Sequence, residues 1–210
     1  MKAQAKVKSF LATPLIDGRA DREFINGLIA CQGLYHVWAC VEGMSHISLA
    51  RDMLAAQFLA SACDKLIFVD GDIAFTRPDL ERLLSTDKSI VSGMYPRKNP
   101  GKAWAFKTGS SGRDDALPKE GVIPVRYAPC GFLSIERRVF TDMAASGSCP
   151  EYSVEGNTLN HFFQTGVVDG VLLPEDYYFC ELARRAGHPA YVNCAIRLRH
   201  IGRAVYERKD

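Results

Sequence analysis

Lys65-Leu66-Ile67-Phe68-Val69 is a nearly unbroken apolar run that stops abruptly at Asp70-Gly71-Asp72. A run with no polar alternation has no face to offer water, so it predicts a central strand covered on both sides, as in sheets built with crossover helices. The rest of the chain has the material for those covers. Its 210 residues suffice for one large domain. With 47% apolar and 24% charged residues it reads as an ordinary globular protein, which excludes a disordered, collagenous or fibrous chain.

The pattern alternates around that strand. Residues 7–12 are a β-rich run ended by Thr13-Pro14, and 35–41 are another; between them Phe24, Leu28 and Ile29 place a helix over 22–31. Leu49, Met53, Ala56 and Leu59 recur at helical steps, predicting a helix from Ser48 to about Ser61 with Ser45 or Ser48 as its cap. Thr76 three residues before Asp79, with Pro78 in the first turn, starts another helix, and Ile90-Val91 returns to a strand. Residues 97–121 read as a long loop with Trp104-Ala105-Phe106 as its apolar island. Strands over 122–127 and 132–135 flank a turn at Pro129-Cys130-Gly131, and a helix covers 138–145. Residues 149–173 read as irregular. A helix over 175–186 stops at Gly187, and 190–194 make the last strand. The whole predicts one α/β domain over 1–210, a mostly parallel central sheet flanked by helices.

The charge balance, 26 basic against 24 acidic residues, gives +2 and argues against nucleic-acid binding through a polyanion-coating surface. The longest uncharged stretch, 24–41, has the 18 residues of a short membrane span, but Asn26, Gly27, Gln32, Gly33 and His36 interrupt it. No transmembrane segment is expected. Lys2, Lys6 and Lys8 precede only a short apolar run without a secretory cleavage pattern, so a cytoplasmic location is expected. Seven cysteines without a Cys-x-x-Cys pair read as small core residues in a reducing compartment.

The chemistry should lie at the carboxyl end of the central strand, where open α/β sheets bind ligands. Asp70 and Asp72, separated by Gly71, can approach one hard cation, and Gly71 lets a phosphate near the backbone. The same tripeptide also makes an ordinary acidic turn. Glu175-Asp176 suit a helix start through the dipole alone. His200 gains meaning only beside the carboxylates, where an imidazole favours Mn²⁺ over Mg²⁺.

Taken in order, Thr13-Pro14, Ala50-Arg51-Asp52, Leu66-Ile67-Phe68-Val69-Asp70-Gly71-Asp72, Cys130-Gly131-Phe132, Glu175-Asp176-Tyr177-Tyr178-Phe179 and His200-Ile201-Gly202 resemble the GT-A class of nucleotide-sugar-dependent glycosyltransferases. The likeness is to the compact family-2-like type with an Asp-x-Asp motif, and it spans most of the chain. It implies a Rossmann-like GT-A domain with a nucleotide-binding half at about 1–95 and an acceptor- and metal-completing half at about 96–210. Asp72 and His200 would hold Mn²⁺ or Mg²⁺, with Asp70 on the ion's water or the donor ribose. Thr13, Pro14 and Asp17 would cradle the nucleotide, Arg51 would lie near the base or diphosphate, and Gly131 would leave room for the sugar, with Tyr95 and Trp104 as stacking candidates. Asp176 would be the base at the acceptor hydroxyl and Glu175 its neighbour. Cys130 stands where the family pattern often has Thr or Ala, and Asp52 where it often has Asn.

The implied activity is metal-dependent transfer of a sugar from a nucleoside-diphosphate sugar, UDP-sugar favoured, to a hydroxyl acceptor such as a glycan, with inversion favoured. The helix start should keep Asp176 ionised. The 97–121 loop reads equally as a lid that closes over the donor and as a solvated loop with Trp104 tucked into the core. Two other readings stand beside this one: a nucleotidyltransferase acting on sugar phosphates, whose phosphate loop Asp17-Gly18-Arg19 only weakly imitates, and a non-catalytic nucleotide-sugar-binding module. The sequence leaves the oligomeric state open.

Overall fold

All five residues of the Lys65–Val69 run are buried, as an unbroken apolar segment requires. The computed structural model describes residues 7–98, 103–109 and 118–202. In chain order the elements are β1 (Ser9–Leu15), α1 (Arg22–Ala30), β2 (Val37–Glu42), α2 (Ile47–Ala60), β3 (Lys65–Val69), β4 (Ile73–Ala74), α3 (Arg77–Ser85), β5 (Ile90–Met94), β6 (Val122–Val125), β7 (Phe132–Glu136), α4 (Arg137–Ala145), β8 (Glu151–Val154), β9 (Asn157–Asn160), β10 (Gly166–Val168), β11 (Val171–Leu173), α5 (Glu175–Arg185), β12 (Ala190–Arg197) and β13 (Arg199–His200). Seven strands form one sheet in the order β2-β1-β3-β7-β5-β12-β6. β7 and β6 run against their neighbours, and the other five share one direction.

The two-residue period of β3 divides its side chains between two cores. Leu66 and Phe68 join Leu54 and Phe58 of α2, Phe140 of α4 and Phe179 of α5. Ile67 and Val69 join Phe24 and Leu28 of α1 and Leu80 and Leu83 of α3. Helices on both faces are therefore what the apolar run demanded. Among the described residues no helix is long and apolar enough to cross a membrane, and all seven cysteines are free, six of them buried.

Several expected boundaries move. β1 runs on through Thr13-Pro14, because its pairing with β3 ends at Ala12 and Phe68; at Pro14 only β2 pairs, so the missing N–H is tolerated. Neither Ser45 nor Ser48 caps α2; His46 holds that position without a side-chain hydrogen bond. The Thr76–Asp79 start of α3 forms as expected, with the Thr76 N–H donating to Asp79 at 2.9 Å.

Residues 149–173 are not irregular but carry two antiparallel hairpins, β8–β9 and β10–β11. Their turns are Glu155-Gly156, with φ of 50° and 81°, and Asp169-Gly170, with φ of 51° and 76°. Two successive left-handed residues match the right-handed twist of a hairpin. Asp52, fully buried on α2, secures this region: it accepts hydrogen bonds from the Phe163 N–H at 2.9 Å and the Tyr152 hydroxyl at 2.9 Å, and contacts His161 Nδ1 at 2.7 Å. Its carboxylate therefore serves the fold.

Candidate active site

At the carboxyl end of β3, the Asp70 N–H donates to the Gly131 carbonyl at 3.0 Å and the Asp70 carbonyl accepts from the Ile73 N–H at 3.0 Å, closing the acidic turn. A side chain at position 71 would come within 2.6 Å of Leu15 Cδ2 and 3.3 Å of the Arg19 carbonyl oxygen. Glycine thus lets the 15–21 loop press on the turn, and the Asp21 N–H donates to the Gly71 carbonyl at 2.7 Å. Between loop and turn lies a cavity of about 570 Å³, lined by residues 14–17 and 19–21, Ile47 and residues 70–72. That is an ordinary size for a small-molecule site. Pro14 and Asp17 line it. Thr13 is buried behind it, its hydroxyl accepting from Trp38 Nε1 at 3.1 Å. Ile47 lines the cavity without any signal in the sequence, and Arg19 was marked only by the weak phosphate-loop likeness of Asp17-Gly18-Arg19.

His200 arrives at the same turn through strand pairing. β13 lies antiparallel to β4, with His200 opposite Ile73, and the Ile201 N–H donates to the Asp72 carbonyl at 2.8 Å. His200 Nδ1 lies 3.0 Å from the Pro96 carbonyl, an acceptor, so that nitrogen carries the proton. Nε2 then faces Asp72 Oδ1 at 3.6 Å. This oxygen is buried and has no hydrogen-bond partner among the described residues. The other Asp72 oxygen meets Lys98 Nζ at 2.5 Å. Among the described residues no three His, Cys, Asp or Glu side chains converge as a complete metal cage.

Asp70 turns the other way. Its two oxygens lie 3.2 and 3.3 Å from Arg51 Nη2, while Arg51 Nε lies 3.4 Å from Glu175 Oε1. Arg51 is 4% exposed and stacks over the Phe68 ring, its carbon Cζ 5.3 Å from the centroid. It is not among the cavity-lining residues but bridges the acidic turn and the start of α5. Burial works to neutralise this guanidinium; the Asp70 and Glu175 carboxylates oppose it and keep it charged.

Asp176 sits one residue further into α5, its Oδ1 accepting from the Tyr177 N–H at 2.8 Å. The expectation that the helix start keeps it at ordinary acidity is not met. Burial, and then the adjacent Glu175 charge, push its carboxyl up to about 7, against the pull of Arg51 and the Tyr177 N–H. Burial also raises Asp70, with Arg51 opposing.

The space expected beside Gly131 is filled by protein. The Gly131 N–H donates to the Tyr95 hydroxyl at 2.7 Å. A methyl group at position 131 would overlap that hydroxyl and come within 3.2 Å of Asp70 Oδ2. Gly131→Ala is therefore expected to lower stability by about 1–3 kcal/mol through overpacking, read as a fall in the midpoint of chemical denaturation. Tyr95 and Trp104 are 5% and 4% exposed, Tyr95 edge-on to His200 and Trp104 stacked on Phe106. Both are core residues, so neither presents a free ring face. Of the 97–121 loop, 99–102 and 110–117 lie outside the described residues; the part around Trp104 is held by bridges from Pro96 to Trp104 and from Lys107 to Tyr127.

No family model matches the sequence, and no curated protein matches it. Solved structures do resemble it. One is the crystal structure of A197 from STIV, at a TM-score of 0.61 and 14% identity over 97% of this chain and 95% of that one. Another is GalNAc-T7, solved with UDP, GalNAc and Mn²⁺, at a TM-score of 0.58 and 11% identity over 96% of this chain. This chain spans 45% of GalNAc-T7. The fold is thus α/β and Rossmann-like, of the GT-A kind.

Proposed function

We propose that the protein is a glycosyltransferase that uses a divalent cation to move a sugar from a nucleoside-diphosphate sugar to a hydroxyl acceptor. The observation that carries this is the pair formed by Asp72 Oδ1, buried and without a hydrogen-bond partner among the described residues, and His200 Nε2, an acceptor 3.6 Å from it, with Asp72 lining the cavity. Two acceptors that face each other at this distance suit a shared cation, and a carboxylate with an imidazole suits Mn²⁺ or Mg²⁺. Asp72 and His200 would hold the ion, with phosphate oxygens completing its shell; Asp70, expected at the ion, instead gives both oxygens to Arg51. When bound, it supplies positive charge to the departing diphosphate. The likeness to GalNAc-T7, a structure holding UDP and Mn²⁺, supports the same reading.

The chain's own groups divide the remaining work. The Pro96 carbonyl fixes the His200 tautomer, leaving Nε2 free to ligate. Pro14, Asp17 and Arg19 wall the cavity in which a nucleotide, a uridine by preference, would lie. Asp176, poised near 7, is suited to take the proton of the acceptor hydroxyl. A single carboxylate in that role fits an inverting displacement, and Glu175, tied to Arg51, would position the substrate.

The test is a panel of UDP-, GDP- and dTDP-sugars with Mn²⁺ or EDTA, following nucleotide release. Nucleoside diphosphate released only with metal is expected. Release of pyrophosphate from a nucleoside triphosphate plus a sugar phosphate would instead establish nucleotidyl transfer, and binding without release a non-catalytic module. Asp72→Ala and His200→Ala are each expected to weaken metal-dependent donor binding at least about tenfold, since losing even an outer partner of a metal ligand has an effect of that size. Unchanged donor affinity by calorimetry in both variants would refute the metal assignment.

A further inference from the structure

The three residues Pro96, Arg97 and Lys98, which follow β5 and Tyr95, each grip a different part of the site. The Pro96 carbonyl accepts from His200. Arg97 Nη2 donates to the Tyr177 hydroxyl at 2.6 Å, and that hydroxyl donates to the Ala105 carbonyl at 2.6 Å, so Arg97 is tied to α5. Lys98 reaches Asp72, and here both partners are about a third exposed, at 34% and 36%. The first two contacts are the fixed part of this segment. The third is a flexible ammonium resting on a carboxylate at the edge of the cavity.

We infer that Lys98 is a mobile phosphate-binding residue, resting on Asp72 in the free protein and passing to the donor diphosphate when a divalent cation takes Asp72. This rests on the proposed glycosyl transfer and adds a second positive charge to its leaving group. The chemistry of the contact supports the exchange. A divalent cation on one Asp72 oxygen and the Lys98 ammonium on the other would repel each other across a few ångströms, which weakens the hold of Asp72 on Lys98. The displaced ammonium has a four-carbon stem with free rotation, and the nearest strong anion would be the diphosphate beside the ion. Lysine suits the task, being a compact point charge that binds phosphate without demanding a fixed fork geometry. The exposed pair holds Asp72 only weakly, so the exchange faces little opposition.

The proposal predicts effects of opposite sign from one substitution. Lys98→Met keeps the stem and removes the charge. In the full chain without nucleotide, its affinity for Mn²⁺ alone, measured by calorimetry, is expected to rise about two- to fivefold, the range that an exposed ion pair contributes. Its affinity for UDP in saturating Mn²⁺ is expected to fall about tenfold, and Lys98→Arg to recover most of that loss. Mn²⁺ affinity that is unchanged or lower in Lys98→Met, absence of Mn²⁺ binding in both proteins, or undiminished UDP affinity would each overturn the proposal. Both arms behaving as expected, with no donor turned over by the wild-type protein, would leave the exchange standing and remove the catalytic reading.

Discussion

Replacing Asp176 by Asn is expected to reduce turnover by about 10²–10⁴-fold, the range associated with a positioned general base, with little change in donor binding. The same substitution is expected to stabilise the folded protein at pH 8. Both effects have one cause: burial and the Glu175 charge raise the Asp176 carboxyl from its ordinary 3.8 to about 7. Between those values the folded chain holds a proton that the unfolded chain has released, so stability falls as pH rises through that interval. Above about 7 the folded protein bears the full penalty of a desolvated carboxylate, and an amide does not. The melting temperature of Asp176→Asn should therefore exceed that of wild type at pH 8, by roughly 2–4 °C per kcal/mol, and approach it at pH 5. Turnover of the wild type should rise with pH through about 7, as the carboxylate forms. Full turnover in Asp176→Asn would remove the base assignment; equal melting temperatures at pH 8 would show that Asp176 is better hydrated than its surroundings imply.

The parts of this molecule that were legible in its sequence are those decided by local pattern. The β3 run named its own burial, and the position of Asp70-Gly71-Asp72 followed from where that run stopped. Helices α3 and α5 were visible through their caps and spacing. The β10–β11 hairpin is missed where 149–173 read as irregular, although Asp169-Gly170 between Val167-Val168 and Val171-Leu172 carries the turn chemistry and the apolar flanks of a two-residue hairpin.

What could not be read are contacts between distant segments. His200 meets Asp72 because two-residue strands β4 and β13 pair, and such short strands leave no periodicity. Asp52 belongs to the Ala50-Arg51-Asp52 stretch that carries the resemblance, yet it is spent on Tyr152, His161 and Phe163, about a hundred residues away. The proximity of Lys98 to Asp72 depends on how β5 ends beside β12, which no local pattern encodes. The acidity of Asp176 failed for a related reason. The helix start acts as expected through the Tyr177 N–H, but burial, which only the assembled core supplies, is the larger effect.

Arg51→Met is expected to be among the most destabilising single changes in this protein, by about 3 kcal/mol, the lower part of the range seen when one partner of a buried ion pair is removed. Arg51 links Asp70 and Glu175 from beneath, and methionine fills much of its volume while leaving two carboxylates without their shared cation. Complete burial of both would put the loss nearer 5 kcal/mol. Asp70 and Glu175 are 28% and 15% exposed, so water takes over part of the charge and the smaller figure applies. Denaturant unfolding should show it directly, as should a melting temperature lower by roughly 6–12 °C. The triple change Arg51→Met, Asp70→Asn, Glu175→Gln is expected to recover more than half of the loss, because it removes the carboxylates that the single change strands. If the triple variant were no more stable than Arg51→Met alone, the role of Arg51 would lie in its packing on Phe68 and not in its charge. Recovery without turnover would show why the charges are kept: the cluster of Arg51, Asp70 and Glu175 that holds the acidic turn against α5 would then be what the reaction requires.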